Sequence, residues 1–149
     1  MPKIEVVDEA VINASPQVVY KAIIEEYAGV THWFMPLLEF KHRTDTPVGV
    51  EGMTIDLLVH DAARPRFYET FSKVVEGKSI DIEIGGDFAG SGKWTFEPVE
   101  GKTKLTLRWD ADPKRLSFIL LSPFIDIGKR HSKIIQTGFV SLNNYLSKN

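Results

Sequence analysis

Two side chains in this 149-residue sequence stand where proton transfer would be chemically reasonable. Glu69 shares strand parity with Phe67 and Phe71, so a strand that turns those rings inward places a carboxylate among them. Burial disfavours the charged form and suits such a group to acid–base work near neutral pH. In the opposite register Tyr68 and Thr70 face inward and Glu69 stands in water, the commoner fate of a glutamate. By helical spacing His131 falls on the apolar side of a C-terminal segment. There it is either a proton donor and acceptor inside a cavity or a satisfied core histidine. The spacing alone does not force the two together.

The remaining chemistry-bearing residues form no constellation. His32, beside Trp33 and Phe34 in a short turn-flanked segment, suits a lid better than proton transfer. His42 and His60 lie in separate strands without His-x-His or His-x-x-x-His spacing, and Asp61 points away from His60, so no metal site is expected. No Gly-rich phosphate loop occurs, which removes the usual handle for ATP or a dinucleotide, and no cofactor is expected. Ser91 lies between Gly90 and Gly92 with strands on both sides, whereas a nucleophile elbow needs a strand-to-helix turn. The absence of Cys excludes disulfide frameworks, thiolate nucleophiles and zinc fingers.

The elements that must position Glu69 and His131 read from the pattern. Ile4, Val6, Ala10 and Ile12 share a parity opposite Glu5 and Glu9, a half-buried strand with an irregularity at Val7 and Asp8. Ser15-Pro16 then starts a short amphipathic helix with Val18, Val19, Ala22 and Ile23 on one face, and Gly29 ends it. Thr31 to Pro36 reads as a second brief helix or turn. From there to Asp112 strands follow one another, broken by turns such as Thr46 to Gly49 and Ala62 to Pro65, which predicts an antiparallel meander. Ile80, Ile82 and Ile84 alternate with Asp81 and Glu83, giving one dry face. A second Ser-Pro, Ser122-Pro123, predicts the start of a long helix running to about Ser147. Phe124, Ile127, His131, Ile134, Ile135, Gly138 and Leu142 are on its apolar side, and Val140 is the exception on the wet side.

A curved sheet closing over such a helix encloses a cavity, expected at roughly 300 to 1,000 Å³ with a mouth near Trp33. Its expected lining is Trp33, Phe34, Leu57, Phe67, Phe71, Ile82, Trp94, Phe96, Leu107 and Trp109 from the sheet side. His131, Ile135, Gly138 and Leu142 come from the helix. Taken singly, each of Trp94, Phe96 and Trp109 reads first as plain core filling.

The run Gly86-Asp87-Phe88-Ala89-Gly90-Ser91-Gly92-Lys93-Trp94-Thr95-Phe96-Glu97-Pro98, followed by Gly101 to Thr106, resembles the core signature of the polyketide cyclase/dehydrase and lipid-transport superfamily. START domains and pathogenesis-related plant allergens belong to the same group. Ala14 to Tyr20, Trp33 with Pro36, and the tail Arg130 to Gly138 with Leu142 and Leu146 are similar to other parts of that pattern, so the resemblance spans nearly the whole chain. It implies an α+β helix-grip fold. A seven-stranded antiparallel sheet wraps a long C-terminal helix, with two short helices between strands 1 and 2, as one START-like domain over residues 1–149.

The formal net charge is −2, with 18 Lys and Arg against 20 Asp and Glu, a balance that gives no footprint for nucleic acid and no polybasic membrane patch. The start of the chain lacks the apolar core of a signal peptide, and the apolar run Phe118 to Leu121 is too short to span a bilayer. The expectation is a cytoplasmic protein without an integral membrane segment. With no complete catalytic set, the expected function is non-covalent binding of a small hydrophobic or amphipathic molecule (lipid, sterol or polyketide-like) for transport or sensing. A cyclase or dehydrase would need two polar side chains converging in the cavity, Glu69 and His131 being the pair. A chaperone-cofactor-like interaction module would need an exposed apolar patch outside the cavity.

Overall fold

A computed structural model describes residues 4–148. The strands are β1 (Ile4–Ile12), β2 (Leu38–His42), β3 (Thr54–Val59), β4 (Arg66–Val75), β5 (Ser79–Gly86), β6 (Phe88–Val99) and β7 (Lys102–Pro113). The helices are α1 (Pro16–Tyr27), α2 (Leu116–Leu121) and α3 (Ile127–Leu146). The seven strands form one sheet in the order β1-β7-β6-β5-β4-β3-β2, antiparallel at every pairing, so the first two strands in sequence are its two edges. Strand alternation makes one face dry: Ile80, Ile82, Ile84, Trp94, Phe96, Leu105, Leu107 and Trp109 are all buried. A register shift between Phe71 and Lys73 bends β4 against β5. β6 and β7 approach so closely at Gly90 that any Cβ there would collide with the Asp110 carbonyl. The sheet therefore curls, and α3 fills its concave side.

Along β1 the alternation is regular through the position read as an irregularity. Asp8 is on the inner face, buried, and its carboxylate accepts Ser132 Oγ at 2.9 Å and Gln136 Nε2 at 3.3 Å, tying α3 to the sheet edge.

The expected helix arrangement needs two corrections. Only α1 lies between β1 and β2. Residues 28–37 form turns and irregular backbone rather than a helix, and the buried Glu26 carboxylate takes the amides of Trp33 (3.2 Å) and Phe34 (2.8 Å), which in a helix would bond to backbone carbonyls. The long helix does not start at Ser122-Pro123 either. Ser122 Oγ donates to the Ile119 carbonyl and closes α2, while Asp126 caps α3 by accepting the Lys129 amide at 2.9 Å. The second short helix is therefore α2, between β7 and α3, and Phe124 lies in the link, 84% exposed rather than on an apolar helix face.

Candidate functional site

Between the curled sheet and α3 lies a cavity of about 130 Å³. β-Strand residues Leu57, Phe67, Trp94, Leu107 and Trp109 form its floor, His131, Ile134 and Ile135 of α3 its roof, and Phe34 and Phe40 part of its wall. It is smaller than the sequence-based expectation because the rings pack edge to face into one another. Phe67, Phe88 and Trp109 form a triangle with centroids 5.3 to 6.0 Å apart. The exposed lining residues are Asp61, Leu121 and Arg130, so the opening is between the β3–β4 loop and the α2–α3 link, not beside Trp33.

Polar groups are few in this wall. Glu69 is only 3% exposed, on the inner parity of β4 with Phe67 and Phe71, while Tyr68 faces out. The Tyr27 hydroxyl donates to Glu69 Oε1 at 2.6 Å and accepts the Trp94 indole N–H at 2.9 Å, a three-member chain running from β6 through α1 to β4. Burial pushes the Glu69 carboxyl up to about 7, against the opposing pull of the Tyr27 hydroxyl and the nearby Trp109 indole. Although it favours the carboxylate, the Trp109 N–H reaches no acceptor in hydrogen-bond geometry. Burial first, then the neighbouring Glu69 carboxyl, raise Tyr27 well above the usual phenol range. His131 stacks on Trp109, ring centroids 4.2 Å apart and planes 22° from parallel. Burial lowers the imidazole to about 3, so it is neutral at physiological pH, and its Nδ1 is buried without a partner. Two unmet nitrogens, Trp109 Nε1 and His131 Nδ1, thus belong to residues that line the same cavity as Glu69.

The other expected lining residues occupy different places. Trp33 stacks on Phe34 and sends its indole N–H to the Ala22 carbonyl at 3.4 Å, bracing α1 from outside the cavity. Phe71, Ile82, Phe96 and Leu142 are buried in the core without reaching the cavity wall. Gly138 lies against the ring of Phe34, which does line the cavity. His32 is exposed. Among the described residues no group of three His, Asp or Glu side chains is arranged to hold a metal ion, and no helix is long and apolar enough to cross a membrane.

Sequence reasoning misses Tyr27 although a signal exists: stepping by four from Val19 through Ile23 continues the inner stripe of α1 to Tyr27, and all three are buried. Phe88 and Phe118, stacked at 5.5 Å on the side of the opening, have no comparable signal, because the sequence pattern does not separate α2 from the longer helix.

Comparison with known proteins agrees with this architecture. A family model described as polyketide cyclase/dehydrase and lipid transport matches residues 3–143. Among solved structures, protein Ms6760 from Mycobacterium smegmatis superposes with a TM-score of 0.70 at 13% identity, covering 97% of this chain and 92% of that one. TTHA0849 from Thermus thermophilus gives 0.69 at 17% identity over 94% of both chains. Ara h 8.0201 gives 0.69 at 16% identity over 97% of this chain and 98% of its own. These likenesses establish the helix-grip fold. Among curated proteins, none matches the sequence.

Proposed function

The chain belongs to the polyketide cyclase/dehydrase and lipid transport family, and from the make-up of its cavity we propose that it binds a small amphipathic molecule with a ring-sized apolar body and at least one hydrogen-bonding group. One observation carries this reading: a largely apolar cavity is lined by Glu69, Trp109 and His131, and Trp109 Nε1 and His131 Nδ1 are buried there without a hydrogen-bond partner. Buried polar atoms left unmet are costly, so a ligand that meets them gains affinity and orientation. At about 130 Å³ the space is close to an engineered cavity of about 150 Å³ that holds benzene. A single aromatic ring fits; a sterol would have to displace the wall. The whole chain acts as one ligand-holding domain, for carriage or sensing.

Calorimetric titration with p-cresol and with toluene tests this. The two share a ring and a methyl group and differ in the hydroxyl. The reading expects p-cresol to bind more tightly, with a change in tryptophan fluorescence from Trp94 and Trp109. No binding of either, or equal binding of both, would remove its basis.

A second reading, proton-transfer catalysis, is favoured by Glu69. A carboxyl at about 7 inside an apolar cavity, hydrogen-bonded to a phenol, can take up or release a proton at neutral pH. His131, neutral in the same wall, would orient a carbonyl or hydroxyl rather than act as an acid.

A further inference from the structure

Exposed apolar side chains are scattered singly over most of the surface, as on any protein. Around α2 they are not. Within residues 116–124 five large apolar side chains are exposed: Leu116 (68%), Ile119 (38%), Leu120 (64%), Leu121 (45%) and Phe124 (84%). Leu116, Ile119 and Leu120 are one helical turn apart and share a face. The opposite face is fixed: Phe118 stacks on Phe88, and Arg115 donates to the Ala63 carbonyl at 2.8 Å, pairs with Asp87 at 3.6 Å and lies over the Phe118 ring. The apolar face is thus held outward.

The charge on this segment is mostly positive, although Asp61 lines the cavity opening and Glu5 borders the groove that Phe124 and Lys129 share. Residues 114–133 hold five Lys and Arg against the single Asp126, a net +4, which leaves −6 on the remaining chain; the near-neutral overall balance conceals this segregation. Lys114, Lys129, Arg130 and Lys133 are exposed. Lys129 borders the same groove as Phe124, and Arg130 borders the cavity opening with Leu121 and Ile125.

We propose that α2 and the α2–α3 link form a docking surface for a lipid bilayer bearing anionic headgroups. Leu116, Leu120 and Phe124 enter the boundary of the acyl region, and the flanking lysines reach the phosphates. Charge complementarity argues for an anionic surface. Continuity argues for a bilayer rather than a protein: Leu121 and Ile125 belong both to the patch region and to the cavity opening, so an apolar ligand dissolved in the membrane passes into the cavity without crossing water. Only that second argument rests on the ligand reading above.

Co-sedimentation of the full chain with phosphatidylcholine vesicles, with and without phosphatidylglycerol, tests the surface. The chain should sediment with the anionic vesicles, less with the neutral ones, and less again as salt is raised. Leu120→Asp with Phe124→Asp should abolish sedimentation, and Lys114→Glu with Lys129→Glu should weaken it by roughly tenfold or more. None of these four residues lines the cavity, so p-cresol titration separates loss of docking from loss of ligand binding. Should the double Asp variant not fold, by circular dichroism, the charge-reversal variant and the salt series decide. Absence of sedimentation with anionic vesicles would overturn the proposal, as would sedimentation that both variants leave unchanged. A dimer that the double Asp variant converts to monomer, without vesicle binding, would assign the patch to a second copy of the chain and equally overturn it.

Discussion

Tyr27 and Glu69, 42 residues apart in sequence, share a 2.6 Å hydrogen bond inside the cavity, with the tyrosine donating while it accepts the Trp94 indole N–H at 2.9 Å. One phenol thereby serves two buried groups from different strands. Replacing it with phenylalanine keeps the ring packing and removes both bonds.

Tyr27→Phe should therefore cost about 1 to 3 kcal/mol, chiefly because the Trp94 N–H is left buried and unmet. It should also raise Glu69 beyond its present value of about 7, since the lost hydrogen bond is the largest influence holding it down. Urea denaturation gives the first quantity, and carboxyl-observed NMR titration gives the second. A Glu69 titration that moves down would show that the hydroxyl does not stabilise the carboxylate.

Glu69 and His131 make opposite demands on pH. The folded carboxyl is raised from 4.5 to about 7, so its contribution is fully present below 4.5 and is lost as pH rises through about 7. The folded imidazole is lowered from 6.5 to about 3, so its contribution is present above 6.5 and is lost as pH falls toward about 3. Between pH 4.5 and 6.5 the two slopes, each up to about 1.4 kcal/mol per unit, oppose one another. Glu69→Gln should thus gain stability relative to the parent as pH rises through this window, and His131→Leu should lose it. Urea denaturation at three pH values within the window measures both differences. A flat difference for Glu69→Gln would mean that the carboxyl titrates normally.

How much of this was legible in the sequence depended on the range of the interaction. Alternation at Ile80, Ile82 and Ile84 and at Leu105, Leu107 and Trp109 is written into neighbouring residues, and the sheet follows from it. Ser15-Pro16 caps α1 as its sequence says, yet the same dipeptide at 122–123 ends one helix, since the Ser122 hydroxyl turns back to Ile119. Local sequence cannot distinguish those two outcomes. Asp8 reads as a flaw in β1 because its partner Ser132 is 124 residues away. Glu69 was readable as a parity choice, and β4's pairing with β3 and β5 decides it inward, with Tyr27 waiting there. The cavity's modest size depends on how rings tilt against one another, which no spacing records.

Gly138 presses on the ring of Phe34, which itself lines the cavity and is hemmed by Trp33 at 5.4 Å and Phe40 at 5.8 Å. At an ordinary helix position Gly→Ala gains about 1 kcal/mol. Here the new methyl group must push Phe34, and the ring yields toward the cavity. Gly138→Ala should show no gain in melting temperature and should weaken p-cresol binding by about tenfold, equivalent to about 1.4 kcal/mol. Gly138→Leu should destabilise by about 1 to 3 kcal/mol through overpacking. A raised melting temperature with unchanged affinity for the Ala variant would show that Phe34 has room to move elsewhere.

Binding and catalysis part company at Glu69 and His131. His131→Leu removes the unmet Nδ1 and adds apolar wall, so toluene should bind as well as before or more tightly, because a polar group no longer has to be desolvated. The preference for p-cresol over toluene should narrow in the same variant and in Glu69→Gln, which keeps an acceptor for Tyr27 but cannot ionise. If the protein is instead a proton-transfer catalyst, Glu69→Gln should spare binding and reduce turnover of a ring-closing or dehydration substrate by about 10² to 10⁴. The remaining activity should also lose its titration near pH 7, since the group at about 7 is gone. His131, already neutral and held at about 3, should then change affinity and orientation more than the pH profile. A pH profile that survives Glu69→Gln would place the acid–base group elsewhere in the wall and leave Glu69 as an anchor for Tyr27. The cresol preference surviving both substitutions would show that neither side chain touches the ligand's hydroxyl, leaving Trp109 Nε1 as the remaining unmet donor to engage it.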